Sequence, residues 1–97
     1  MLPSLDDLLE AVIDEFTFVK FVAALGADFA LERALETKAP SDSWAAGALG
    51  WENITVDAVF ESATAWANDT TNIDVDRVNQ NPWKRCAHIL YAGKFYE

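Results

Sequence analysis

The chain has 97 residues, 52% of them hydrophobic, with sixteen Asp and Glu against seven Lys and Arg and a net charge of −9. That length and apolar content fit one domain spanning residues 1–97 and exclude a disordered chain. The acidity disfavours nucleic acid as a partner. The lone Cys86 excludes an intrachain disulfide.

The first helix is expected to start at Ser4, whose hydroxyl can cap free backbone N–H groups, with Asp6 and Asp7 at the positive end of the helix dipole. Leu5, Leu8, Leu9, Val12, Ile13 and Phe16 then form one stripe of helical period. Thr17 can cap a second segment, whose Phe18, Val19, Phe21, Val22 and Leu25 crowd its circumference, as in a central helix. Gly26 either ends that segment or lies inside a longer helix. Asp28 can restart a third segment, with Phe29, Leu31, Ala34 and Leu35 apolar. Glu32 and Glu36 read there as a solvated face.

Residues 37–54 are the least regular. Pro40 to Ser43 form a breaker cluster, followed by a loop with Trp44, Gly47, Gly50 and Trp51. Two indoles in such a loop suit pinning to the core, while one left outside would be a contact anchor. Asn53 or Thr55 caps the next helix, with Val56, Val59, Phe60, Ala63, Trp66 and Ala67 as its apolar face. Residues 72–78 allow a short extended piece. Asn81 as cap and Pro82 at the first helical position open the last helix, where Trp83, Cys86, Ala87, Leu90 and Tyr91 repeat helically. The pattern predicts an all-α, compact single-domain bundle of four or five helices with one Trp/Gly-containing loop. Leu9, Phe21, Phe60, Trp66, Trp83 and Leu90 are its expected core.

Charge is divided along the chain. Residues 1–76 hold fifteen acids and three bases, Lys20, Arg33 and Lys38, a net of −12. Residues 77–97 hold Arg77, Lys84, Arg85 and Lys94 against Glu97, a net of +3. The last helix is therefore expected to lie against an acidic body.

No catalytic or metal signature emerges. His88, the only histidine, is two residues from Cys86, which puts the side chains about 200° apart on a helix. They can form neither a nucleophile–base pair nor a shared metal site, and His88 reads as a helix-surface residue. Cys86 reads as a small core residue. Asp69 to Gln80 fails as a calcium loop, with Asp74 where Gly belongs and Gln80 where Glu belongs. No phosphate loop is present. No cofactor and no catalysis are expected, and a role for Tyr91 in a small acid-based enzyme is a minor third class.

Two stretches carry a family resemblance. One is Trp51-Glu52-Asn53-Ile54-Thr55-Val56, followed by a mid-helix aromatic and Trp66. The other is Trp83, Ala87, Leu90, Ala92 and the closing Tyr96-Glu97. Together they resemble, from about Phe16 to Glu97, a family of small acidic bacterial proteins catalogued only as a domain of unknown function. The resemblance implies a compact, mainly helical fold and no particular activity.

The function expected from the residues is stoichiometric binding of a basic protein. Its concrete form is an immunity or antitoxin protein that covers the active site of a toxin such as a nuclease. The alternative is a structural or regulatory adaptor with no enzyme target. Asp42, Trp44, Trp51, Glu52, Asp57 and Glu61 are the candidate partner-binding residues. The amino-terminal residues lack the basic region and apolar run of a secretory leader, and no run of about 18 apolar residues exists, so a cytoplasmic location away from membranes is expected. The oligomeric state is left open.

Overall fold

A computed structural model of the chain describes residues 3–41, 47–71 and 81–96. Four helices are present there, with no strand among the described residues: α1 (Leu5–Glu10), α2 (Glu15–Lys38), α3 (Val56–Thr70) and α4 (Pro82–Ala92). The possible extended piece at 72–78 lies outside the described residues.

Local hydrogen bonding sets the boundaries. Ser4 caps α1 as expected: its Oγ accepts from Asp7 N at 3.1 Å, and Ser4 N donates to Asp7 Oδ2 at 3.2 Å. The apolar stripe of residues 5–16 does not continue as one helix. α1 stops at Glu10, and Asp14, rather than Thr17, is the cap of α2. Thr17 N donates to Asp14 Oδ1 at 2.9 Å, while Thr17 Oγ1 accepts from the N–H groups of Ile13 and Asp14. This reciprocal box fixes the start of α2 and turns the chain by a residue or two. Val12 stays fully buried, but Ile13 and Phe16 are turned outward, 64% and 76% exposed.

α2 is one helix of 24 residues. Gly26 lies in its interior facing open space, so it neither breaks the helix nor relieves a close contact. Asp28 consequently restarts nothing. The helix ends at Lys38 with Ala39 as its non-helical C-cap, immediately before Pro40, whose ring disfavours helical geometry at the preceding residue.

Thr55 caps α3, with its Oγ1 accepting from Ala58 N. Asn53, the other candidate cap, does something else. Its Nδ2 donates to Gly93 O at 3.0 Å and Tyr96 O at 3.4 Å, and Glu52 N donates to Lys94 O at 3.0 Å. The entry to α3 is thus tied to the exit of α4. Gly93 permits this approach, because an added Cβ would lie 2.7 Å from Val59 O. Asn81 caps α4 through Oδ1, with Pro82 at the first turn, as expected, and its Nδ2 also donates to Ile13 O at 3.1 Å.

α4 is the central element. It packs against α1, α2 and α3, and α1 also packs on α2. The core joins Leu9, Val12, Phe21, Leu25, Trp51 and Ala87. Removing a large apolar side chain from water stabilises by about 1.5–3 kcal/mol, so this cluster dominates folding. Leu9 and Phe21 are buried as expected, and Trp66 and Leu90 are half-buried. Phe60 and Trp83 are not core: they are 59% and 38% exposed. The phase of α3 explains the first, since Val59, Ala63 and Trp66 face inward and leave Phe60 at the margin. Trp83 packs one side against Phe18, with ring centroids 5.5 Å apart, at the start of α4. Cys86 is exposed rather than a small core residue, because the covered sides of α4 pass through Ala87, Leu90 and Tyr91.

Helix α4 lies with its bases Lys84 and Arg85 against the ends of α1 and α3. Lys84 Nζ donates to Glu10 O at 2.7 Å, at the end of α1. Arg85 donates to Thr70 Oγ1 at 2.9 Å and Ala67 O at 3.0 Å, at the end of α3. Both cations meet helix C-termini, where the dipole favours positive charge. The Arg85 guanidinium also lies over the Trp66 ring, on which His88 stacks. His88 is half-buried in this way rather than a plain surface residue.

Candidate partner-binding face

The acids divide into two sets with different roles. Asp28, Glu32 and Glu36 recur every fourth residue and so lie in one column of α2. Glu32 and Glu36 were read as a solvated face and Asp28 as the start of a third segment, but all three hold the loop at residues 47–51. Glu32 is fully buried, and its Oε1 accepts from Leu49 N at 2.9 Å and Trp51 N at 3.0 Å. Its Oε2 lies 3.8 Å from Arg33 Nη2. Glu36 accepts from Ser41 N and Ser41 Oγ, each at 2.6 Å, and from Ala48 N at 2.8 Å. Those donors favour the ionised carboxylate, with the Ser41 hydroxyl contributing most, and hold its pKa below the ordinary glutamate value. Asp28 Oδ2 accepts from Trp51 Nε1 and from Lys94 Nζ, each at 2.9 Å.

Gly47 completes this arrangement. A Cβ there would overlap the Glu32 carboxyl group. The loop backbone therefore wraps the carboxylate as closely as a side-chain-free residue allows. Gly47 N donates to Trp51 O and Gly50 N to Gly47 O, which closes the turn, with Gly50 at φ +88° in the left-handed region.

Trp51, a candidate binding residue, is consequently not on the surface. It is 5% exposed, meets Phe29 edge-on at 4.9 Å, and has the Lys94 ammonium over its ring. It pins the loop instead of presenting an indole. Asp42 and Trp44 lie outside the described residues.

Glu52, Asp57 and Glu61 are all exposed. Asp57 has its pKa lowered, first by hydrogen bonding with the Thr55 side chain and then with the Ala58 backbone. Spacings of four place Asp57 and Glu61 in one column of α3 and Val56 and Phe60 in the next. Val56 is 71% exposed, Phe60 59% and the preceding Ile54 49%. The structure thus sets three apolar side chains beside three carboxylates at the start of α3. Ile54, Val56 and Phe60 were missed as surface residues because Val56 and Phe60 fit the helical apolar stripe. The one available signal was the phase: Val59, Ala63 and Trp66 form an alternative inward line.

The two tyrosine hydroxyls are each held by a carboxylate. Tyr91 Oη donates to Asp6 Oδ1 at 2.9 Å, and burial, followed by that bond, pushes its pKa up to about 12. Tyr96 Oη donates to Asp69, which likewise raises its pKa. Both phenols stay protonated donors at neutral pH. Among the described residues no group of three or more His, Cys, Asp or Glu side chains could hold a metal ion. No described helix is long and apolar enough to cross a membrane.

Neither the curated proteins nor the solved structures include a match to this chain. A family model does match, over residues 14–97, and this reaches from the cap of α2 through the acid-held loop to the end of the chain. The chain belongs to DUF7660, a family of unknown function.

Proposed function

We propose that this chain is a non-catalytic binding domain whose α3 face holds a basic protein. The observation that carries the reading is the exposure of Ile54, Val56 and Phe60 beside Glu52, Asp57 and Glu61. Apolar side chains in a patch rimmed by charge suit a protein contact: the former supply affinity, the latter orientation and rate. The net charge of −9 supports a cationic target, since the summed field speeds its capture. In its most concrete form, the domain neutralises a basic toxin, such as a nuclease, by covering its active site.

The hydrogen-bonded loop favours stoichiometric inhibition. Glu32, Glu36 and Asp28 fix residues 47–51, and Asn53 fixes the entry to α3, so the face is held in place before contact. Preorganisation of this kind removes ordering cost on binding. The test is association with a purified basic partner recovered from the native host. Phe60→Ala should raise the dissociation rate, and Glu61→Lys should slow association, while neither moves the thermal midpoint by more than a degree or two. Equal binding by both variants would remove the α3 face from consideration.

A further inference from the structure

The outer face of α2 has no cover. At 100° per residue, Phe16, Val19, Ala23, Ala27, Ala30 and Ala34 fall within about 50° of a single line along the helix. All six are exposed, with Phe16 at 76% and Val19 at 57%. The line lies opposite Phe21, Leu25 and Glu32, which are buried. The stripe extends for most of a helix of 24 residues, a length of about 36 Å. No charge interrupts it. Glu15, Lys20, Arg33 and Lys38 stand only at its edges, and the last three are all the bases of residues 1–76. Phe16 and Val19 form a shallow groove with Glu15, Lys20 and Ala23.

We propose that this face pairs with the same face of a second copy, with the two α2 helices antiparallel about a two-fold axis near Ala23. Two features favour that occupant and that direction. The stripe is large at its N-terminal end, Phe16 and Val19, and small at its C-terminal end, Ala27, Ala30 and Ala34. An antiparallel partner seats each large end on the other's small end, whereas a parallel partner stacks Phe16 on Phe16. Small residues also let helix axes approach to about 8 Å. The second feature is charge. Glu15 and Arg33 lie on the same edge of the stripe, and an axis midway between them, at residue 24, brings each Glu15 beside the partner's Arg33 twice over. A two-fold contact repeats every favourable pair in this way.

The area sets the strength. The stripe from Phe16 to Ala34 is about 28 Å long, and at about 10 Å wide on each copy it buries on the order of 560 Å² in total, below the roughly 1,000 Å² of a stable dimer, so the pairing is weak and forms only at high concentration. This surface is separate from the α3 face, so a dimer would present two partner-binding faces.

The test is sedimentation equilibrium of the full chain over a wide concentration range, in a Cys86→Ser background to exclude adventitious disulfides. The expected result is a concentration-dependent rise to twice the 10.7 kDa monomer mass. Ala30→Glu puts a charge into the seam from each copy and should weaken the dimer more than about tenfold. Residue 30 is exposed in the monomer, so its circular dichroism and thermal midpoint should not change. Glu15→Arg, which sets a cation against the partner copy's Arg33, should weaken the dimer, and Glu15→Gln should weaken it less. Under mild oxidation Ala23→Cys should cross-link efficiently to itself and Ala34→Cys should not. A chain that stays monomeric throughout overturns the proposal. So does a dimer indifferent to Ala30→Glu, preferential cross-linking at residue 34, or a stripe that instead takes up a foreign acidic amphipathic helix.

Discussion

Gly47→Ala should be one of the most damaging single-methyl changes in the protein, and only because of Glu32. The added Cβ would occupy the space of the Glu32 carboxyl group, so either the loop or the carboxylate must move. Moving the carboxylate weakens its bonds to Leu49 N and Trp51 N, at 2.9 and 3.0 Å. Hydrogen bonds to a charged group are each worth about 1.5–3 kcal/mol, which bounds the loss at about 3–6 kcal/mol if both fail. Partial adjustment of the loop brings the expected cost to about 2–4 kcal/mol. Glu32→Ala should cost a similar amount, since it leaves two backbone donors unpaired, although it also relieves the burial of a charge. In the double variant the methyl group enters the space the carboxyl group has vacated. The two changes should therefore couple by more than about 1 kcal/mol towards tolerance. Urea unfolding followed by tryptophan fluorescence measures all four corners of the cycle. Strict additivity, or a Gly47→Ala cost below about 0.5 kcal/mol, would refute the carboxylate-centred loop.

Gly93→Ala should cost about 1–3 kcal/mol in the same assay, because the obstruction is Val59 backbone and cannot rotate away. Asn53→Ala should cost about 1–2 kcal/mol through the lost bonds to Gly93 O and Tyr96 O, and should raise amide exchange in residues 93–96. Asp14, through hydrogen bonds with the Thr17 backbone and then its side chain, and Glu36, through those with the Ser41 side chain and then its backbone, have folded pKa values below their ordinary ones. Their contribution is therefore complete above the unfolded values of 3.8 and 4.5 and is lost as pH falls through the lower folded values. Glu36→Gln should flatten the acid limb of a stability–pH curve. Tyr91 acts in the opposite direction: with its pKa raised from 10 to about 12, its contribution is complete below pH 10 and disappears as pH rises towards 12. Tyr91→Phe should abolish that alkaline component in a thermal-melt series.

The helices and most of their ends were legible because caps are local chemistry. Ser4, Thr55 and Asn81-Pro82 act within three residues of themselves. Which side of each helix faces in was less legible. α2 carries apolar side chains all round, so periodicity cannot distinguish its buried line of Phe21 and Leu25 from its exposed line of Phe16 and Val19. α3 carries Val56, Val59, Phe60, Ala63, Trp66 and Ala67 in one broad apolar face, and periodicity does not say that Val59, Ala63 and Trp66 turn inward while Val56 and Phe60 stay outside. The role of Glu32 was hidden for a different reason. Acids at every fourth residue are common on solvated helices, and only the approach of Gly47, 15 positions along the chain, converts one into a buried anchor. The same long-range packing removed Trp51 from the candidate surface and left Glu52, Asp57 and Glu61 on it.

The central claim is that exposed acids on α3, beside exposed apolar side chains, capture a basic protein. The most direct test captures partners from native-host lysate with the wild-type chain and with Glu52→Lys/Glu61→Lys in parallel. Association rates of the recovered protein are then measured below and above about 0.15 M salt, where the screening length is about 8 Å. The account predicts a basic partner retained by the wild type, lost or much reduced with the variant, and associating markedly more slowly at high salt. A partner held equally by both chains, or associating at a rate independent of salt, would contradict it.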